Sequence, residues 1–210
     1  MRKLTKKIYV GDVAIGGDSP ISIQSMTTAQ TSDIDKVVDQ INAFDEAGCD
    51  ISRSAINSMA DAEAIGEIKK RTKLPFVADI QFDYKLAIAA VENGCDALRI
   101  NPGNIGSKEN VKKVVEKCKE KNIPIRIGVN SGSVHKSMIE KYHGVNVDSL
   151  VYSAVEEVKT LEDLGFTDIV ISVKSSDVNT MIDSYRKLSD LVDYPLHLGV
   201  TEAGDRKSVV

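Results

Sequence analysis

Four cations in the 210-residue sequence each fall within or at the end of a short apolar run: Arg53, Arg99, Arg126 and Lys174. The clearest case is Ala97-Leu-Arg-Ile-Asn-Pro-Gly-Asn104. Side chains two apart on a strand share a face, so Arg99 and Asn101 are expected to point the same way. The Pro102-Gly103 break ends the strand just beyond them. A guanidinium and an amide at a strand end suit an anionic ligand. The competing reading is an edge strand with an ordinary surface Arg. Other runs also end in polar groups: Gln24-Ser25, Asp79-Ile80-Gln81, Gly128-Val129-Asn130 and His197 to Glu202. If the four cations converge, they repel one another unless a phosphate or diphosphate neutralises them. In the rival arrangement Asp79 and Glu202 pair two of the cations in a salt-bridge layer. Barrel interiors favour branched apolar residues, which weighs against that layer.

The elements that would position these groups follow an internal repeat. Gly48-Cys-Asp50 matches Gly94-Cys-Asp96 and, more loosely, Gly165 to Asp168. Pro75, Pro124 and Pro195 interleave with these glycines, each opening an apolar run. Between successive signals lies a segment of helical periodicity, so the pattern is strand–helix alternation with a parallel sheet. Strands are expected over 20–26 and near 51–54, 76–79, 97–101, 124–128, 168–173 and 195–199. A small hairpin around Gly11-Asp12 is expected to precede them. Ser32-Asp33 is expected to cap a helix carrying Ile34, Val37, Val38, Ile41 and Phe44. The connection over 128–156 is long enough for an extra turn or lid. The fold class expected is α/β, an incomplete TIM (β/α)8-type barrel with about seven of its eight strands and an N-terminal β-hairpin. The open gap is expected between the strands at Ile21 and Pro195, with unpaired edges on either side.

Composition excludes several classes. The chain is 42% hydrophobic and 28% charged, with net charge −4, few aromatics and no Trp. It has neither the basic field nor the stacking surface expected of a nucleic-acid binder. No apolar run approaches a membrane span, and the basic start Met1 to Lys7 is not followed by a signal-peptide core. A cytoplasmic location is the expectation. Cys49, Cys95 and Cys118 form no C-x-x-C pair and are expected to be small packing residues. His135, His143 and His197 do not form a metal set, and no metal ligands are expected in this chain.

The segments Pro20 to Thr27, Val77 to Asp83, Ala97 to Gly106, Pro124 to Asn130 and Leu196 to Gly204 resemble the 4-hydroxy-3-methylbut-2-enyl diphosphate synthase family. This is the iron-sulfur enzyme family of the non-mevalonate isoprenoid pathway, and the resemblance runs from residue 6 to 204. It implies a barrel similar to that of dihydropteroate synthase. It implies reductive ring opening and dehydroxylation of 2-C-methylerythritol 2,4-cyclodiphosphate, with flavodoxin or ferredoxin as electron donor and a homodimeric full-length enzyme. Arg53, Arg99, Asn101, Arg126, Asn130 and Lys174 match substrate-holding positions. Asp79 and Glu202 match acidic catalytic positions, Glu202 being the candidate to position or protonate the substrate.

Three departures accompany the resemblance. The family usually has His where Gln81 stands, and an apolar run with Pro where Ser52, Ser54, Ile56 and Asn57 stand; both departures are expected at the mouth. The family's C-terminal domain, which supplies the ligands of a 4Fe-4S cluster, is not expected within this chain. Residues 1–204 are thus expected to be the substrate-binding barrel. Residues 205–210 are expected to be non-native, because the resemblance stops at Gly204 and Asp-Arg-Lys-Ser-Val-Val can be encoded by a common sequencing-adapter string. The chain alone is expected not to turn over. The alternatives are a cluster-free phosphate- or pterin-binding barrel of dihydropteroate synthase type and a non-catalytic anion-binding module.

Overall fold

The repeat has a direct backbone cause in the computed structural model, which describes residues 3–199. Gly48, Gly94 and Gly165 adopt φ of +85°, +88° and +68°, just beyond the ends of three helices. That left-handed conformation closes a helix and is cheapest for glycine. The prolines open strands, where a missing N–H breaks no ladder bond. Their carbonyls are used instead: Pro75, Pro124 and Pro195 accept from the N–H of Ser52, Leu98 and Ile171 at 2.9, 3.1 and 3.0 Å.

Eight strands and seven α-helices result among the described residues. A hairpin of β1 (Ile8–Val10) and β2 (Val13–Ile15) comes first. It turns at Gly11-Asp12, as the alternation predicts. A parallel sheet follows in the order β3 (Gln24–Met26), β4 (Ile51–Ala55), β5 (Phe76–Asp79), β6 (Ala97–Ile100), β7 (Ile125–Asn130) and β8 (Ile169–Lys174). Helices α1 (Ile34–Glu46), α2 (Met59–Arg71), α3 (Tyr84–Glu92), α4 (Lys108–Lys121), α6 (Val147–Asp163) and α7 (Val178–Leu191) alternate with the strands. The long connection after β7 carries a 3₁₀ turn at 131–133 and the short α5 (Lys136–Lys141), the expected extra element.

The sequence expectation needs three corrections. The strand expected over 195–199 is a single bridge, Leu196 beside Ile171, continued by His197 N–H donating to the Ile171 carbonyl at 2.8 Å. The first strand shortens to Gln24–Met26, because Ile21 and Ile23 are 84% and 58% exposed and bury no face. The curled sheet is therefore six-stranded. Asp33 occupies the N-cap of α1 but makes no capping bond; its carboxylate pairs with Lys36 at 2.5 Å instead.

Strand alternation divides the sheet into two faces. Phe76, Ala78, Leu98, Ile100, Ile125, Ile127, Ile169, Ile171 and Val173 pack with the helices in the main core. On the inner face, Ile51, Val77 and Ala97 form a second, smaller cluster with Val10, against which Val13 and Ile15 pack. The hairpin thus covers the N-terminal ends of the strands and leaves the C-terminal ends open. Ile51 is 2% exposed in that seal. Ile51→Ala is expected to destabilise the chain by about 2–5 kcal/mol, the range for large-to-Ala changes in a core. Denaturant unfolding reads this, and a change within error would show that the hairpin does not seal the barrel.

Candidate functional site

The same alternation that buries Ile51, Val77 and Ala97 puts Arg53, Asp79 and Arg99 two residues further along the inner face. Register then sets them side by side. Arg53 pairs with Met26 across β3 and β4, Asp79 with Arg99 across β5 and β6, Arg99 with Arg126 across β6 and β7, and Asn130 with Lys174 across β7 and β8. Arg53, Asp79, Gln81, Arg99, Arg126, Asn130, Ser172 and Lys174 are among the residues lining a cavity of about 260 Å³. All four cations predicted from the sequence therefore converge.

Asp79 is the one carboxylate among the residues lining this cavity. Its Oδ1 accepts from Arg99 Nη1 at 3.1 Å and from Gln81 Nε2 at 3.2 Å, and its Oδ2 lies 3.6 Å from Arg53 Nε. The salt-bridge layer weighed from the sequence thus exists in part, built on Asp79. Arg53 also lies against the Met26 sulfur, with Nη2 at 2.7 Å. Arg99 crosses over Gly128, whose carbonyl accepts from its Nη2 at 3.3 Å. A Cβ at residue 128 would collide with the Arg99 guanidinium, so this glycine is a requirement of space.

Arg126 is placed differently. It makes no ion pair within 4.0 Å among the described residues and is only 5% exposed. Its Nη1 donates to Gln24 Oε1 at 2.9 Å and lies 3.0 Å from His197 Nδ1. Its Nε and Nη2 are buried without a partner among the described residues. Burial, with Arg53 next in weight, pulls its pKa down to about 9. Burial and the three arginines bring Lys174 down to about 8. Burial and then Arg126 and the other cations bring His197 down to about 2, so the imidazole is neutral. Each shift reflects burial first and, second, the like charges gathered in the site.

Several sequence expectations change here. Arg53 lies in the cavity wall, its side chain 17% exposed. Asn101 is buried and does not line the cavity; its Oδ1 accepts from Gly103 N–H at 3.1 Å and caps the 3₁₀ turn at 102–104. Asn130 lines the cavity while its Oδ1 accepts from Gly132 N–H at 3.0 Å. Gln81 is at the mouth as expected. Ser52 and Ser54 are not: Ser52 Oγ bonds the Pro75 carbonyl and Ser54 Oγ lies 2.8 Å from Thr27 Oγ1, both buried behind β4. They alternate with Arg53 and must face away from it. Glu202 and residues 205–210 lie outside the described residues.

One cluster near the mouth had no signal in the sequence. His135 Nε2 lies 2.8 Å from Glu157 Oε1, with Gly103 directly beside both side chains. Burial raises the Glu157 pKa against the pull of His135. A Cβ at residue 103 would collide with both side chains. This contact ties the turn after β6 to α5 and α6.

A family profile described as the GcpE TIM-barrel domain matches residues 5–210. The chain belongs to that family. Two relatives named 4-hydroxy-3-methylbut-2-en-1-yl diphosphate synthase (flavodoxin) agree with it. The one from Fusobacterium nucleatum is 57% identical over 206 residues, covering 98% of this chain and 58% of the relative. The one from Clostridium perfringens is 59% identical over 203 residues, covering 97% and 58%. The chain therefore spans less than two thirds of the length of these relatives. Among solved structures, the Yersinia pestis dihydropteroate synthase matches with a TM-score of 0.60 at 8% identity, over 90% of this chain and 74% of that one. That likeness is one of fold.

The described part of this GcpE barrel does not fit an iron-sulfur cluster. No group of three or more His, Cys, Asp or Glu among the described residues could hold a metal. Cys95 and Cys118 are buried in the helix-side core, where desolvation raises the Cys95 thiol pKa and pushes Cys118 up to about 12. A cluster needs convergent thiolates. Anaerobic reconstitution of the 210-residue chain is expected to leave no stoichiometric iron; an iron count matching a full cluster would reject this.

The cationic wall also makes a prediction for stability. Lys174 titrates near 8 in the folded chain and at about 10.4 when unfolded. Its charge destabilises the fold below pH 8, and the penalty fades as pH rises toward 10, where the unfolded chain still holds the proton. Lys174→Met is expected to be more stable than wild type at pH 7, with the gap narrowing between about pH 8 and 10. Thermal unfolding across that range checks it, and a pH-independent gap would contradict the assignment.

Proposed function

We propose that this chain is the substrate-binding barrel of a 4-hydroxy-3-methylbut-2-enyl diphosphate synthase and that its cationic cavity holds 2-C-methylerythritol 2,4-cyclodiphosphate. The observation carrying the proposal is the imbalance in the cavity: among the described residues, four cations face Asp79 and the buried Nε and Nη2 nitrogens of Arg126 have no partner. A polyanion supplies the missing acceptors and the missing charge together. The family membership and the names of the relatives point to the same ligand class.

In this reading Asp79 holds the Arg53 and Arg99 forks in place, while Arg126 and Lys174 contribute charge not already spoken for. Ring opening frees one end of the diphosphate and develops negative charge on its leaving oxygen. Cations preset around that oxygen stabilise the charge as it appears. Two electrons reduce the substrate as the ring opens and a hydroxyl is lost as water. Flavodoxin or ferredoxin is the proposed donor, a 4Fe-4S cluster the proposed cofactor and a homodimer the proposed assembly of the full-length enzyme. Glu202 is the proposed group that positions or protonates the substrate, and Asn130 a further contact at the mouth.

The pterin-binding alternative meets an obstacle in the wall itself. The residues lining the cavity include no aromatic side chain on which a pterin ring could stack. A purely anion-binding module differs from the proposal only in lacking turnover.

Arg126→Met is expected to weaken cyclodiphosphate binding by about 2–5 kcal/mol, as for loss of a desolvated charge partner. The same substitution should raise the melting temperature of the free chain, since it removes a buried charge with no acid beside it. Titration calorimetry and thermal unfolding read the two effects. Unchanged affinity would reject the cavity as the diphosphate site.

A further inference from the structure

The two partners of Arg126 are an unusual choice for a buried guanidinium. Gln24 comes from β3 and Arg126 from β7, so their hydrogen bond crosses the bore between strands that are not neighbours in the sheet. Arginine offers only donors, so Gln24 must present its oxygen. His197 follows the Leu196 bridge, and its backbone is held from outside the sheet. Tyr185 on α7 donates its hydroxyl to the His197 carbonyl at 2.5 Å and accepts from Val173 N–H at 3.2 Å. Burial and the surrounding cations keep the His197 ring neutral. Below it, a small cavity of about 20 Å³ is lined mainly by apolar residues of the hairpin seal, including Val10, Ile15 and Ile51. This floor excludes bulk water from the underside of the guanidinium.

A carboxylate in either position would neutralise Arg126 and relieve the fold of a buried unpaired charge. Glutamate differs from Gln24 by one atom and would fit the same space. The structure instead uses two uncharged acceptors, which fix the direction of the guanidinium and leave its charge intact. We infer that Gln24 and His197 are positioning residues of the anion site, which hold Arg126 through neutral acceptors so that its full charge and its Nε and Nη2 donors remain for a bound diphosphate. The inference rests on the reading of this cavity as a diphosphate site.

The test uses inorganic pyrophosphate as the probe and titrates it into the 210-residue chain and four variants, with melting temperatures taken in parallel. Gln24→Glu is expected to lower affinity at least about tenfold, to flatten its salt dependence and to raise the melting temperature. Gln24→Met removes an acceptor without adding charge, and its loss of affinity should be smaller. His197→Asn supplies another neutral acceptor and should bind within about threefold of wild type, a difference of under 1 kcal/mol. Lys174→Met is the control for the site itself. If Lys174→Met weakens binding and Gln24→Glu does not, the positioning role is wrong while the diphosphate site stands. If neither changes binding, the reading of the cavity fails first. Equal loss of affinity in Gln24→Glu and Gln24→Met, with both melting lower, would make Gln24 a structural residue and overturn the charge argument.

Discussion

The arrangement on which the rest of the site depends is a stack of like charges facing one carboxylate among the described residues. Arg53, Arg99, Arg126 and Lys174 come from four strands of one parallel sheet, and Asp79 touches only the first two. Two unit charges about 4 Å apart interact by roughly 4 kcal/mol at the effective dielectric of a protein surface. Several such repulsions strain the free barrel, and they add to burial, the larger cause, in lowering the pKa values of Arg126, Lys174 and His197. Stability must therefore come from elsewhere. The continuous apolar layer between sheet and helices supplies it, built on Phe76, Leu98, Ile125 and Ile171, each essentially without solvent exposure.

Space is as tightly assigned as charge. Gly128 lies under the Arg99 guanidinium and Gly103 under the His135–Glu157 pair, and neither could carry a Cβ without moving the group above it. The first keeps Arg99 low enough to reach both Asp79 and the Gly128 carbonyl. The second lets the His135–Glu157 pair pack directly against the turn that follows Arg99. The mouth is thus shaped by absent side chains as well as by charged ones.

Much of this was legible in the sequence because strand alternation is a strict rule. The period of two puts Arg53, Asp79 and Arg99 on the inner face as soon as Ile51, Val77 and Ala97 are placed there. The Gly and Pro repeat located the elements because both residues act through the local backbone. What the sequence did not show depends on distant pairings. Gln24 to Arg126 spans 102 positions and His135 to Glu157 spans 22 across two helices. Asn101 misled for a local reason: the Pro102-Gly103 break that ends the strand also starts a 3₁₀ turn, and the amide caps that turn rather than facing the cavity. The strand expected over 195–199 failed because apolar patterning reports burial on one side. It does not report whether a partner strand is present on the other.

The contrast between Asp79 and Gln24 explains how one cavity can be both ordered and hungry for charge. Asp79 organises Arg53 and Arg99 by ion pairing, which fixes two forks but consumes one unit of positive charge. A second acid at the position of Gln24 would order Arg126 in the same way but would cut the net positive charge among the described lining residues from three to two. The amide of Gln24 and the neutral ring of His197 achieve the ordering through hydrogen bonds alone. Hydrogen bonds to neutral acceptors are short-ranged and directional, whereas charge acts over the whole cavity. Geometry and electrostatic demand are in this way set by different residues. Burial and then the three neighbouring guanidiniums, of which two have a counterion among the described residues, depress the pKa of Lys174. A polyanion entering the cavity meets donors already aimed at it and a positive field that the protein has left unbalanced.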